Sequence, residues 1–212
     1  MALAKLAKIN EHSSWAAWNI EETDDSLIRK CHLDEKGLTE WRTIRHPTKR
    51  SEWLGSRAAL AALMQTMDIP LQPTYKDHKG KPFLQNNAYH ISLANSYPYG
   101  VAILHRHQAV GIDIERPSAT LQRIQHKFLN DAEIADVGDC PSLRCIYWCV
   151  KESLYKLYGR KQLSLKDNIV VHSVRFERSI QATSSMVTDE GRTLYHLEGI
   201  IIDGFFVVYS VI

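Results

Sequence analysis

Four charged side chains in two short segments are of the types that could bind a metal ion and phosphate together. Asp113 and Glu115 lie in the segment 111–115, and Glu152 and Lys156 lie four residues apart in the segment 148–156. Carboxylate oxygens suit a hard cation such as Mg2+ or Mn2+, which keeps water or phosphate in its remaining positions. A lysine ammonium binds phosphate as a point charge. The residue types therefore predict a site for a metal-bound pyrophosphate compound, with Asp113, Glu115 and Glu152 as metal ligands.

The segment that carries Glu152 and Lys156 has the pattern of an amphipathic helix. Pro141 suits a first helical turn, and Gly159 suits a left-handed C-terminal cap. The apolar residues fall on one stripe at helical spacing, namely Leu143, Ile146, Tyr147, Val150, Leu154 and Leu157. At about 100° per residue, Glu152 and Lys156 lie on the opposite side, with Trp148 beside them. That face is either a solvated Glu–Lys pair or, as the tryptophan favours, part of a cleft or second packed surface.

The segment 110–115 alternates with period two, which predicts a β-strand. Ile112 and Ile114 then face one way, and Asp113 and Glu115 face the other. Two carboxylates about 7 Å apart on one strand face repel unless water, a cation or a metal separates them. A half-buried strand with a wet acidic face is the alternative explanation.

Basic side chains in the first half of the chain could hold further phosphates. They lie in a predicted basic turn at 45–51, which includes Arg50, on a predicted helix from about 52 to 67, which includes Arg57, and in a turn at 79–82, which includes Lys81. Cations near a helix start oppose the helix dipole unless an anion lies among them. A solvated basic turn is the alternative.

Composition limits the class of protein. The chain has 212 residues, of which 44% are hydrophobic and 24% charged, with a net charge of +2. These values predict an ordinary packed core and give no reason to expect nucleic-acid binding. The sequence shows no convincing signal peptide and no apolar run of the ~18 residues that a membrane span needs. The four cysteines lack metal-site spacing and are expected to be reduced thiols in a cytoplasmic protein.

The order of predicted elements suggests two similar α+β halves, 1–106 and 107–212. Each half has a long helix before a strand pair, and Tyr89-His90-Ile91 resembles Tyr195-His196-Leu197. Further strands are predicted at about 14–20, 89–93, 100–104, 169–176, 193–202 and 205–211, and short helices at about 27–31 and 38–44. Residues 130–133 predict a capping box, 160–167 a polar connection, and 116–125 shows no clear pattern.

Together, the two charged segments resemble motifs of the 4'-phosphopantetheinyl transferases, specifically the two-half, single-chain type. The matching motifs are Gly111-Ile112-Asp113-Ile114-Glu115 and Trp-x-x-Lys-Glu-x-x-x-Lys at 148–156. Weaker matches include Gly80-Lys81-Pro82, the strand Ile91-Ser92-Leu93 with Ser96, and Phe128-Leu129 before Glu133. The resemblance runs from about residue 45 to about residue 170.

This resemblance implies two α+β halves in a pseudo-dimer, with coenzyme A and Mg2+ in the cleft between them. It implies transfer of the phosphopantetheine arm of coenzyme A to a serine of an acyl or peptidyl carrier protein, with release of adenosine 3',5'-bisphosphate. Segment 128–134 is expected to meet the carrier protein, and two halves in one chain suggest a monomer.

The resemblance also implies roles for single residues. Glu152 and Lys156 would be catalytic, and Asp113, Glu115 and Glu152 would hold the metal. The coenzyme A contacts would come from Arg50, Arg57, Lys81, Pro82, Asn95, Ser96 and Lys156. Asn95 stands where the family usually has a histidine, and an amide donates a hydrogen bond without carrying charge. A chain that binds coenzyme A or a carrier protein without efficient transfer is the second hypothesis, and a structural protein whose two charged segments never meet is the third.

Overall fold

The computed structural model of the chain describes residues 2–85, 88–159 and 163–211. The chain divides into two compact units, Met1–Val110 and Gly111–Ile212. Helices and strands occur in both units, so the fold class is α+β, as the sequence predicts. None of the helices in the described ranges is long and apolar enough to cross a membrane.

The first unit is built from an antiparallel sheet and the long helix that covers one of its faces. The sheet has the strand order β1-β2-β6-β5, and helix α3 packs against β2, β5 and β6. The elements are β1 (Leu3–Lys8), β2 (Ser13–Asn19), α1 (Asp24–Cys31), α2 (Glu35–Thr43), α3 (Pro47–Thr66), β3 (Thr74–Lys76), β4 (Pro82–Leu84), β5 (His90–Ser96) and β6 (Tyr99–His105). The first strand was not predicted from the sequence, since its alternating lysines resemble a polar terminus.

Helix α3 begins earlier than the sequence predicts. The basic segment 45–51 was expected to be a turn, but the helix starts at Pro47, so Arg50 is a helical residue. Proline suits the first helical position because its missing N–H needs no partner there. The turn prediction is therefore wrong from residue 47 onward.

The second unit has five strands in its sheet, in the order β7-β11-β10-β9-β8, and a long helix, α6, that packs on β8, β9 and β11. The elements are β7 (Val110–Glu115), α4 (Ala119–Ile124), a 3-10 turn (Gln125–Lys127), α5 (Asp131–Val137), α6 (Pro141–Tyr158), β8 (Ile169–Phe176), β9 (Ile180–Thr188), β10 (Gly191–Ile202) and β11 (Phe205–Val211). The sequence did not predict α4 or β9. The predicted polar connection 160–167 lies partly outside the described residues, which resume at 163.

A strand glycine lets the long helix approach each sheet at backbone distance. A Cβ on Gly100 of β6 would lie 2.1 Å from the Ser56 nitrogen of α3. A Cβ on Gly111 of β7 would lie 1.9 Å from the Ser153 carbonyl oxygen of α6. Both distances are far below van der Waals contact, so only glycine permits these two packings.

Candidate active site in the second unit

Helix α6 has the ends and the buried apolar face that the sequence predicts. It runs from Pro141 to Tyr158 and ends in a left-handed cap at Gly159, whose φ is 65°. Five of the six residues in the predicted apolar stripe are buried, Leu143 being the partly buried one. Trp148 packs its ring edge-on against Phe128, with the ring centroids 5.0 Å apart. The tryptophan therefore marks a second packed surface, and it holds the helix against the segment before α5.

Lys156 connects the helix to strand β7. Its Nζ donates to Asp113 Oδ1 at 2.7 Å and to the Ile112 carbonyl at 3.2 Å. Asp113 is only 6% exposed, so the strand does not have the wet acidic face that was the alternative explanation. The strand is instead buried on both faces from Val110 to Ile114. The two segments that the sequence singled out thus meet through this ion pair, which contradicts the hypothesis that they stay apart.

Glu152 is a second carboxyl group, and its charge interacts with those of Asp113 and Lys156. Burial, together with the negative charge of Asp113, raises the pKa of Glu152 to about 7, and Lys156 opposes the shift. Burial likewise raises the pKa of Asp113, against the stabilising charge and hydrogen bond of Lys156. The negative charge of Asp113 thus disfavours the charged form of Glu152, and a cation bound between the two carboxyl groups would relieve this repulsion.

An unpartnered oxygen supports the fit of a cation. Asp113 Oδ2 is buried and has no hydrogen-bond partner, which is costly for a carboxylate oxygen unless a ligand completes its environment. Oxygen donors of this kind suit Mg2+. Glu115 lies two residues along the strand, and its Oε1 accepts from the Arg116 N–H at 2.9 Å. In the described ranges, no three His, Cys, Asp or Glu side chains lie close enough to hold a metal ion as they stand, so the predicted three-carboxylate set remains a prediction.

The two predicted phosphate-binding arginines of the first unit both lie on α3. Arg50 donates from Nε to the Ile44 carbonyl at 2.7 Å, and its guanidinium lies 5.3 Å from the Trp41 ring. Arg57 is 6% exposed and stacks on Trp53 at 3.2 Å. Burial lowers the pKa of Arg57 to about 10, against the attraction of a nearby glutamate. Its Nε is buried without a partner, so part of this guanidinium has unused hydrogen-bonding capacity.

The remaining predicted coenzyme A contacts lie on two hairpins of the first unit. Lys81 is half-buried at the end of the β3–β4 turn, where burial lowers its pKa against the opposing charge of Asp77. Pro82 begins β4. The strand predicted at 89–93 ends before Asn95 and Ser96, but in the structure they are the last two residues of β5, paired with Gly100 and Tyr99. The prediction ended the strand too early because Ala94-Asn95-Ser96 lacks the β-branched residues typical of a strand.

Glu52 supports this second hairpin, a role that the sequence did not suggest. It is 4% exposed within α3, and its Oε1 accepts from the Tyr97 N–H at 3.1 Å. Tyr97 directly follows Ser96, so a buried carboxylate of the helix fixes the turn after the predicted phosphate contacts. The sequence signal that could have predicted the burial of Glu52 is its position as a charged residue among the apolar positions of a helix.

Lys151 and Glu133 form a buried ion pair that sequence reasoning also missed. Their side chains are 0% and 3% exposed, and Lys151 Nζ lies 2.7 Å from Glu133 Oε2. The capping box of α5 is confirmed, with Glu133 accepting from the Asn130 N–H. The position of Lys151 next to Val150 and one turn before Leu154, on the edge of the apolar stripe, could have predicted its burial.

The predicted carrier-binding segment is partly inaccessible. Phe128 and Leu129 are both 0% exposed, so they cannot contact a partner directly. The first residues of α5 in this segment, Asp131 and Ala132, are exposed. Phe128 instead packs against Trp148 from within the hydrophobic core.

The comparisons with known proteins bear on the second unit above all. Residues 109–201 match the family model of the 4'-phosphopantetheinyl transferase superfamily. No curated protein matches the chain. The matched segment contains both charged motifs, the capping box of α5 and the Lys151–Glu133 pair. The similarity to the 4'-phosphopantetheinyl transferase superfamily therefore covers residues 109–201, which make up most of the second unit.

Proposed function

We propose that the chain transfers the 4'-phosphopantetheine arm of coenzyme A to a serine of an acyl or peptidyl carrier protein, in a Mg2+-dependent reaction. The observation that carries the proposal is the contact of Lys156 with Asp113, which joins the two motifs beside Glu152. The family match over residues 109–201 supports a transferase of this class. In the transfer, a bond forms between the serine oxygen and the β-phosphorus of coenzyme A, and the pyrophosphate P–O bond breaks to release adenosine 3',5'-bisphosphate.

Each side chain of the site has a task in this scheme. Asp113, Glu115 and Glu152 would hold Mg2+, which, when bound, offsets negative charge on the pyrophosphate. Glu152 accepts the proton that the attacking serine hydroxyl loses. Lys156, held by Asp113, donates to a phosphate oxygen and stabilises the charge that develops on the leaving group.

The nucleotide end of coenzyme A would be bound by residues of the first unit. They are Arg50, Arg57, Lys81, Pro82, Asn95 and Ser96. Two observations favour this assignment. A phosphate would give the unpartnered Nε of Arg57 a hydrogen-bond acceptor, and Lys81 adds a half-buried positive charge. We propose further that the protein acts as a monomer in the cytoplasm.

Replacing Lys81 with glutamine should raise the KM for coenzyme A about tenfold and leave kcat nearly unchanged. This pattern is expected because the lost charge contacts the bound nucleotide equally in the ground and transition states. Steady-state kinetics with varied coenzyme A measures both constants. Lys79→Gln, in the same turn, is the matched control and should leave KM within about twofold of the wild type. An equal KM in the two variants would contradict the role of Lys81.

The alternative function is binding of coenzyme A or a carrier protein without efficient transfer. Asn95 favours it, because an amide replaces a group that could carry charge toward phosphate. Titration calorimetry with coenzyme A and Mg2+ measures binding, and the release of adenosine 3',5'-bisphosphate in the presence of apo carrier protein measures turnover. Binding with release supports the transferase, whereas binding without release supports the alternative. Absence of both would contradict both proposals.

A further inference from the structure

The ammonium group of Lys151 is completely enclosed by protein. It is among the largest fully buried side chains, and its Nζ donates to Glu133 Oε2 at 2.7 Å, to the Leu165 carbonyl at 2.9 Å and to the Ile169 carbonyl at 2.7 Å. An ammonium has three protons, so these three acceptors use all of them. Lys151 therefore cannot touch a substrate, although it directly precedes Glu152.

Glu133 extends this network to two further backbone segments. Its Oε2 also accepts from the Asn130 N–H at 2.9 Å, and its Oε1 accepts from the Val171 N–H at 2.9 Å. The pair thus links α6, the start of α5, the loop before β8 and β8 itself. Each of these hydrogen bonds is directional, so few rotations and positions of α6 allow all of them to form.

Stability alone does not explain such a pair. An apolar pair of similar volume is often as stable as a buried ion pair, because taking two charges out of water is costly. Directional bonds do something that an apolar contact does not, since they fix the rotation of the helix about its axis. A side-chain group at a radius of about 6 Å moves about 1 Å when its helix turns by about 10°. Misplacement by about 1 Å can reduce catalysis about 10²-fold.

We propose that the Lys151–Glu133 pair is a positioning element that sets the rotation of α6 and so holds Glu152 and Lys156 against Asp113. The proposal rests on the proposed transferase function. The geometry of the following turn supports it, because the rotation of α6 that buries Lys151 also places Lys156 Nζ 2.7 Å from Asp113 Oδ1 and 3.2 Å from the Ile112 carbonyl. Lys151 and Glu133 act through other residues and have no contact with the reacting atoms.

The double variant Lys151→Met/Glu133→Leu separates positioning from stability. Both charges are removed together, so no unpaired charge stays buried. Four backbone groups lose a hydrogen-bond partner, so the melting temperature should fall, and kcat is compared at a temperature at which circular dichroism shows both proteins to be folded. We expect kcat to fall about 10²-fold, while the KM for coenzyme A changes less than about threefold. Leu143→Met, on the first turn of the same helix, is the control and should keep kcat within about twofold.

A second readout does not depend on activity. Protein labelled with 5-fluorotryptophan reports the packing of Trp148 on Phe128 by fluorine NMR, with Trp148→Phe identifying the resonance. We expect this resonance to shift or broaden in the double variant and to stay in place in Leu143→Met.

The outcomes distinguish the two proposals. Wild-type kcat in the folded double variant would overturn the positioning role, as would an unshifted Trp148 resonance. A wild-type protein that transfers nothing would overturn the proposed function, and the resonance would still decide whether the pair sets the helix.

Discussion

Glu152→Gln should reduce phosphopantetheine transfer by about 10²–10⁴-fold, the range that removal of a general base produces. The amide can neither accept the serine proton nor contribute a negative charge to a Mg2+ site. Its size matches that of the glutamate, and Glu152 is half-buried, so the position should tolerate the amide without unfolding. The rate is measured by quantifying adenosine 3',5'-bisphosphate with saturating coenzyme A and apo carrier protein.

Glu177→Gln provides the matched control for this experiment. Glu177 is an exposed residue in the connection between β8 and β9, so the same loss of charge occurs away from the site. Its transfer rate should equal that of the wild type, and both variants should show the wild-type melting temperature within a few degrees. If Glu152→Gln retains more than about a tenth of the wild-type rate, the role given to Glu152 is wrong.

Gly111→Ala should destabilise the second unit by at least about 3 kcal/mol, the upper part of the range for overpacking. The new methyl group would lie 1.9 Å from the Ser153 carbonyl oxygen, 2.8 Å from the Ser153 carbonyl carbon and 3.0 Å from the Leu157 nitrogen. All three are backbone atoms of α6, which cannot rotate away as a side chain could. Chemical denaturation followed by circular dichroism gives the free energy of unfolding.

The control for Gly111→Ala is Gly37→Ala in helix α2. There the added Cβ meets its nearest neighbour at 3.3 Å, and alanine favours a helix over glycine by roughly 0.5–1 kcal/mol. Gly37→Ala should therefore be neutral or slightly stabilising. Equal stability of the two variants would show that β7 and α6 can separate at little cost, and the site would then lack the rigid support that we describe.

Local sequence signals predicted the second unit's key elements well. Pro141 and Gly159 bound α6, and the period-two alternation located β7, because each signal acts within a few residues of the element that it defines. The burial of Asp113 was not predictable in this way. It depends on α6 packing onto both the strand and the carboxylate, which is a contact between residues 43 positions apart.

The signals that failed were those that depend on distant partners. Glu133 was expected to serve as a helix cap, and it does, but its second role depends on Lys151, 18 residues later. Asn95 and Ser96 lie in a strand because β6 pairs with them, although their own propensities favour a turn. The charges of Arg50 and Arg57 were visible in the sequence, whereas their stacking on Trp41 and Trp53 was not.

The most direct measurement of the central claim is the intact mass of an apo carrier protein after incubation with this protein and coenzyme A. With Mg2+ present, we expect the carrier to gain the mass of one phosphopantetheine group on its serine, and chelation of the metal should abolish the gain. A carrier whose serine is replaced by alanine should gain nothing. No mass gain on any acyl or peptidyl carrier protein, with coenzyme A and Mg2+ in excess and the protein folded, would contradict the account.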